Sequence, residues 1–171
     1  EIAPDYAKAH YNLGNALKEG SERDASIHAY RKAIAHDPGH AEAHNNLGTV
    51  LEGQGHTAQA LGEFSRAMTL DDTYVEAHYN HALLHCFQAG DPAIDKLLQL
   101  DSQESENRRN KNRLAFALAK ARADLGEYDA AFAHYVQANA VRRQRSNYDK
   151  SAMEQEVKTS SPLVKIVQRS F

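Results

Sequence analysis

Three asparagines, Asn12, Asn46 and Asn80, stand 34 residues apart. A side-chain amide carries two N–H donors and a carbonyl acceptor. A row of them, one per structural unit, suits an extended peptide backbone whatever its side chains. The same spacing also suits amides that are solvated or that bridge adjacent helices. His10, His44 and His78 recur at the same interval. His78, His81 and His85 then fall at i, i+3 and i+7 with Cys86 adjacent, a donor set that zinc or copper would accept. These are core positions of the pattern, and no comparably placed carboxylate accompanies them. Packing is the preferred reading, with no metal site. Cys86 and His85 are chain neighbours, and neighbours on a helix diverge by about 100°, so they make no nucleophile pair. No G-x-S-x-G elbow, phosphate loop or paired zinc-ligand motif occurs, so neither catalysis nor a cofactor is expected within this segment.

The elements that must position these residues repeat too. Ala41 to Ala67, AEAHNNLGTVLEGQGHTAQALGEFSRA, lies over Ala7 to Ala33 when shifted back 34 residues, and its first half lies over 75–90 when shifted forward. A helical hairpin at such a period marks a solenoid. The first unit, 7–40, predicts helices at 7–19 and 24–36, with Leu13, Ala16 and Leu17, then Ile27, Tyr30, Ala33 and Ile34, as apolar stripes. Gly14 and Gly48 fall mid-helix, where glycine costs about 1 kcal/mol against alanine. Close approach of a partner helix would compensate. The second unit, 41–74, repeats the plan with Gly55 at the turn and Asp72 where proline is expected. Residues 1–6 read as the tail of an earlier repeat, with Pro4 ending a helix and the chain beginning inside a longer array with an open stacking face.

The third unit, 75–111, predicts a helix at 75–89, then a short one at 92–100 opened by Asp91 as N-cap and Pro92 in the first turn. The polar run DSQESENRRNKN, 101–112, reads as a loop or a fraying helix start. The fourth unit, 112–145, carries a hairpin offset by three residues, with its turn at Gly126. Residues 146–171 read as capping helices, one near 149–158 and one from Pro162 with Leu163, Ile166 and Val167 on one side.

Among 171 residues, 20 basic and 23 acidic side chains leave a net charge of −3. That mixture gives no reason to expect nucleic acid or a membrane surface. The local basic cluster Arg108, Arg109, Lys111 and Arg113 is interrupted by acids, as is Arg142, Arg143 and Arg145. One cysteine excludes an internal disulfide framework and fits the reducing cytoplasm. No apolar run reaches the ~20 residues that cross a bilayer, and no signal-peptide pattern is visible.

The hairpins resemble tetratricopeptide repeats from 1 to 143. His44, Leu47, Gly48, Leu51, Gly55, Ala60, Phe64 and Ala67 carry the resemblance in the second unit. His10, Leu13, Gly14, Leu17, Tyr30, Ala33 and Pro38 carry it in the first, where Gly20 lies one place early and Ser26 replaces the small alanine. YNLGNALKEG and AEAHNNLG look like the repeats of O-linked N-acetylglucosamine transferases and their bacterial relatives. That likeness implies an asparagine ladder gripping a peptide backbone; Ala117 ends the ladder in the fourth unit. Residues 113–149 look like the last repeat before a bacterial sulfotransferase domain, although nothing in this chain resembles a phosphosulfate loop.

The expected fold is therefore all-α, a right-handed α-solenoid of stacked hairpins with extra C-terminal helices. The expected function is a protein-interaction scaffold whose concave groove takes a peptide or partner segment. Its site would comprise Tyr11, Asn12, Asn15, Asn45, Asn46, Thr49, Tyr79, Asn80 and Leu83. One alternative is the substrate-recruiting arm of a larger sulfotransferase or glycosyltransferase. Another is self-association through the open N-terminal face or a C-terminal helix.

Overall fold

The computed structural model describes residues 4–104 and 107–143, and among them eight α-helices and no strand. In chain order these are α1 (Pro4–Glu19), α2 (Arg23–His36), α3 (Ala41–Glu52), α4 (Thr57–Leu70), α5 (Val75–Leu84), α6 (Pro92–Gln103), α7 (Arg108–Asp124) and α8 (Tyr128–Arg143). The expectations for 1–3 and 146–171 lie outside the described residues.

The pairing of α1 with α2 and of α3 with α4 follows from one contact repeated. Gly14 leaves room for the ring of Tyr30 and Gly48 for that of Phe64; a Cβ on either glycine would lie 2.6 Å from a ring carbon. Both rings are fully buried, so the helical penalty of each glycine is offset by an aromatic side chain removed from water. Ser26 adds a hydrogen bond, its Oγ donating to the Gly14 carbonyl at 2.9 Å. The turns also share a conformation. Ser21, Gly55 and Gly126, at matching places, have φ of 63°, 81° and 76°. The first hairpin, whose glycine comes one place early, thus puts a serine where the others use glycine.

Several sequence expectations are corrected. Pro4 lies within α1 rather than closing an earlier helix. Helix α5 stops at Leu84 instead of 89, and His85 has extended backbone. Helix α6 is longer than expected, running to Gln103, and α7 begins at Arg108, so most of the polar run 101–112 is helical. Asn107 explains the new start, its side chain capping the amides of Arg109 and Asn110 at 3.0 and 3.2 Å.

The third pair also packs differently. Ala82 and Leu98 stand where the first two pairs have glycine and an aromatic ring, so the close contact is absent and Leu98 stays exposed. Helix α5 approaches α4 and α7, and α6 approaches α7, whereas α5 and α6 barely meet. Phe87, just past the break, is buried with Ile94, Leu97, Leu114 and Leu118 and fills the space between them.

Candidate functional site

Successive odd-numbered helices touch one another, α1 with α3, α3 with α5 and α5 with α7, while successive even-numbered helices make at most a marginal contact. The odd helices therefore form the tighter, inner layer. All nine residues expected at the binding surface lie on α1, α3 or α5.

Five of the nine, Tyr11, Asn15, Asn45, Asn46 and Asn80, join with Tyr30 and Tyr74 into one network of side chains. Tyr30 Oη donates to Asn15 Oδ1 at 2.7 Å. Asn46 Nδ2 donates to the same oxygen at 2.9 Å and to Tyr11 Oη at 3.3 Å. Asn45 Nδ2 reaches Asn46 Oδ1 at 3.5 Å and Tyr74 Oη at 3.3 Å. Asn80 Nδ2 donates to Asn45 Oδ1 at 2.9 Å. The chain of bonds runs from α5 through α3 to α1, so the asparagines do bridge adjacent helices. Burial pushes the Tyr30 hydroxyl up to about 12 and the Tyr74 hydroxyl higher still, so both remain protonated, Tyr30 as a donor to Asn15 and Tyr74 as an acceptor from Asn45.

Individual positions differ from a simple ladder. Asn45, expected on the open surface, is only 1% exposed and lies beneath it, because Tyr74 and Asn80 both draw on its amide. Asn12 is exposed and has no hydrogen-bond partner among the described residues. Asn15, Asn46, Asn80, Tyr11 and Tyr79 are half-buried, and Thr49 and Leu83 are exposed. A hollow of about 330 Å³ beside Tyr11 and Asn12 is bordered by Lys8, Asp37, His40 and Glu42. A larger hollow, about 440 Å³, lies between α2 and α4 and includes none of the asparagines. Tyr30 and Tyr74 were not anticipated in the site. Tyr30 showed only as a core aromatic, and nothing in the repeat pattern marks Tyr74 as reaching Asn45 29 residues back.

The histidines do not converge. His10 stacks on His36, with ring centroids 5.6 Å apart. His44 Nδ1 meets Glu63 Oε2 at 2.7 Å, and His78 Nε2 meets the Asp72 carbonyl at 2.9 Å. His85 stacks on His81 at 5.0 Å while its Nε2 meets Asp91 Oδ2 at 2.6 Å. That contact holds the Asp91 carboxyl below its usual range. Among the described residues no group of three or more His, Cys, Asp or Glu side chains could hold a metal ion. The backbone beyond α5 is instead clasped by α7. Lys120 Nζ donates to the His85 carbonyl at 2.6 Å, and the Phe87 amide donates to Asp124 Oδ2 at 3.0 Å. Lys120 and Asp124 also pair with each other.

The basic cluster is partly neutralised in place. Arg113 pairs with Glu76 at 2.7 Å and Lys111 with Asp101 at 3.3 Å; Arg108 and Arg109 remain exposed. No helix among the described residues is long and apolar enough to cross a membrane.

A tetratricopeptide repeat model matches residues 11–75. That stretch is similar to tetratricopeptide repeats. No match was found among curated proteins. Among solved structures, the chain is similar to MamA, with a TM-score of 0.64 and 20% identity over 85% of this chain and 83% of that one. It is also similar to the TPR2B domain of yeast Sti1 in complex with pHsp70 (TM-score 0.57, 18% identity, 69% of this chain and 97% of that). The first TPR of Spaghetti (RPAP3), bound to the HSP90 peptide SRMEEVD, gives a TM-score of 0.50 at 18% identity, covering 77% of this chain and 96% of that one. At such identities these likenesses establish the fold, a tetratricopeptide-type solenoid.

Proposed function

We propose that this solenoid is a protein-interaction scaffold whose inner face holds an extended segment of a partner protein. The observation that supports it best is the continuous polar strip from Asn12 through Tyr11, Asn15 and Asn46 to Asn80. Tyr11, Asn15, Asn46 and Asn80 are already oriented by bonds to one another or through Asn45, so little ordering cost remains at those positions when a ligand arrives. Asn12 keeps its whole amide available, and Leu83, 46% exposed, offers an apolar contact at the far end. Two proteins of similar fold were solved with Hsp70- or HSP90-derived ligands, which supports peptide capture as the use of this face.

The ligand chemistry differs from an acidic peptide such as SRMEEVD. Matching positions on α1, α3, α5 and α7 carry Lys8, Glu42, Glu76 and Arg113, two acids flanked by two bases rather than a block of positive charge. Arg113 is moreover paired to Glu76. A segment recognised mainly through its backbone, without strong charge, fits better.

The test is selection from a peptide library, followed by affinity measurement for Asn12→Ala combined with Tyr79→Ala. Losing two contacts of about 1 kcal/mol each should weaken binding roughly 10-fold or more while the helical circular dichroism is unchanged. Affinity should change little between low and moderate salt. Unchanged affinity in the double variant sinks the assignment of this face.

A further inference from the structure

Helix α8 presents an apolar stripe with nothing described upon it. Tyr128, Phe132 and Val136 are 73%, 69% and 51% exposed. They stand at i, i+4 and i+8, within an arc of about 80° on a helix. The opposite side of α8 is committed to the solenoid. Ala131 and Ala138 are buried, Tyr135 packs toward Phe116 with ring centroids 6.1 Å apart, and Asn112 Nδ2 donates to the Ala138 carbonyl at 2.5 Å. Each earlier even-numbered helix packs against the helix that follows it, α2 with α3, α4 with α5 and α6 with α7, and no helix follows α8 among the described residues.

We infer that residues 162–171, PLVKIVQRSF, cover this stripe. Leu163, Ile166, Val167 and Phe171 fall at i, i+3, i+4 and i+8, one side of a helix that Ser161 and Pro162 are suited to open. A ten-residue helix does not persist alone in water, so this segment needs an apolar surface to fold against. The 18 residues 144–161 reach up to about 60 Å when extended, and α8 itself is only about 24 Å long, so the tether permits docking anywhere along the stripe. Tethering also gives the segment a local concentration in the millimolar range, which favours it over a second copy of the chain. On that helix Lys165 and Arg169 fall on the side away from the apolar one, so docking leaves both charges in water.

The whole chain, with Phe132 replaced by p-benzoylphenylalanine, is irradiated and the joined peptides are mapped by mass spectrometry. The expected product links position 132 to 162–171 within one chain, at a yield unchanged by dilution. It is lost in a second protein that also carries Ile166→Asp. Phe132 is exposed on α8, and melting of the solenoid checks that each variant is folded. Crosslinks between chains that fade on dilution would assign the stripe to a second copy and overturn the proposal. So would crosslinks to any other segment, or none at all.

Discussion

Gly48 and Phe64 lie so close that a β-carbon on the glycine would come within 2.6 Å of the phenyl ring. Gly48→Ala should therefore lower stability by about 1–3 kcal/mol through overpacking, even though alanine favours the helix by about 1 kcal/mol. Combining it with Phe64→Leu recreates the Ala82 and Leu98 pair of the third unit. Urea denaturation should show the double variant to be more stable than the two single losses added together. Strict additivity would contradict the contact.

Ser21 occupies the left-handed backbone region that its counterparts Gly55 and Gly126 occupy without a side chain. An L-residue there carries roughly 1–2 kcal/mol of strain, part of which glycine returns through its greater freedom when unfolded. Ser21→Gly should raise the melting temperature, by a net effect of about 1 kcal/mol or less. A lower melting temperature would show that the serine side chain contributes something its geometry does not reveal.

Asn45 links Tyr74, Asn46 and Asn80 from a fully buried position. Asn45→Ala leaves several of these groups without partners and should cost about 1–3 kcal/mol. Asn12→Ala, at an exposed site, should leave stability within about 0.5 kcal/mol of the parent. Equal losses for the two would mean that the network contributes little to the fold.

His81 titrates at about 4 in the folded chain, held down mainly by burial and then by His85 and His78, with Asp91 opposing. The unfolded chain takes the same proton near 6.5. Between those values the unfolded state binds more protons, so stability is complete above about pH 6.5 and declines as pH falls toward 4. Burial lowers His78 as well, adding in the same direction. Replacing His81 by leucine, the residue at the matching positions 13 and 47, should flatten the fall in melting temperature between pH 7 and pH 4.5. An equally steep fall in the variant would assign the effect to other groups.

The hairpin period was legible because its determinants are local to each unit: a glycine, an aromatic sixteen residues on, and a turn. The asparagine spacing was legible for the same reason. What escaped was tertiary. HALLHCFQAG has the composition of a helix, yet the carbonyl of His85 and the amide of Phe87 are taken up by Lys120 and Asp124, 35 and 37 residues later. No pattern within α5 announces them. Asn45 likewise reads as a neighbour of the ladder, and only the arrival of Tyr74 and Asn80 from later in the chain places it beneath the surface.

The early end of α5 bears on how any long ligand could be read. A rail with identical rungs lets a uniform strand slip by one rung at no change in energy. Here two matching steps, Gly14 with Tyr30 and Gly48 with Phe64, are followed by one that is built differently. That unequal step removes the degeneracy and gives the surface a phase, so that one alignment stands apart from the displaced ones.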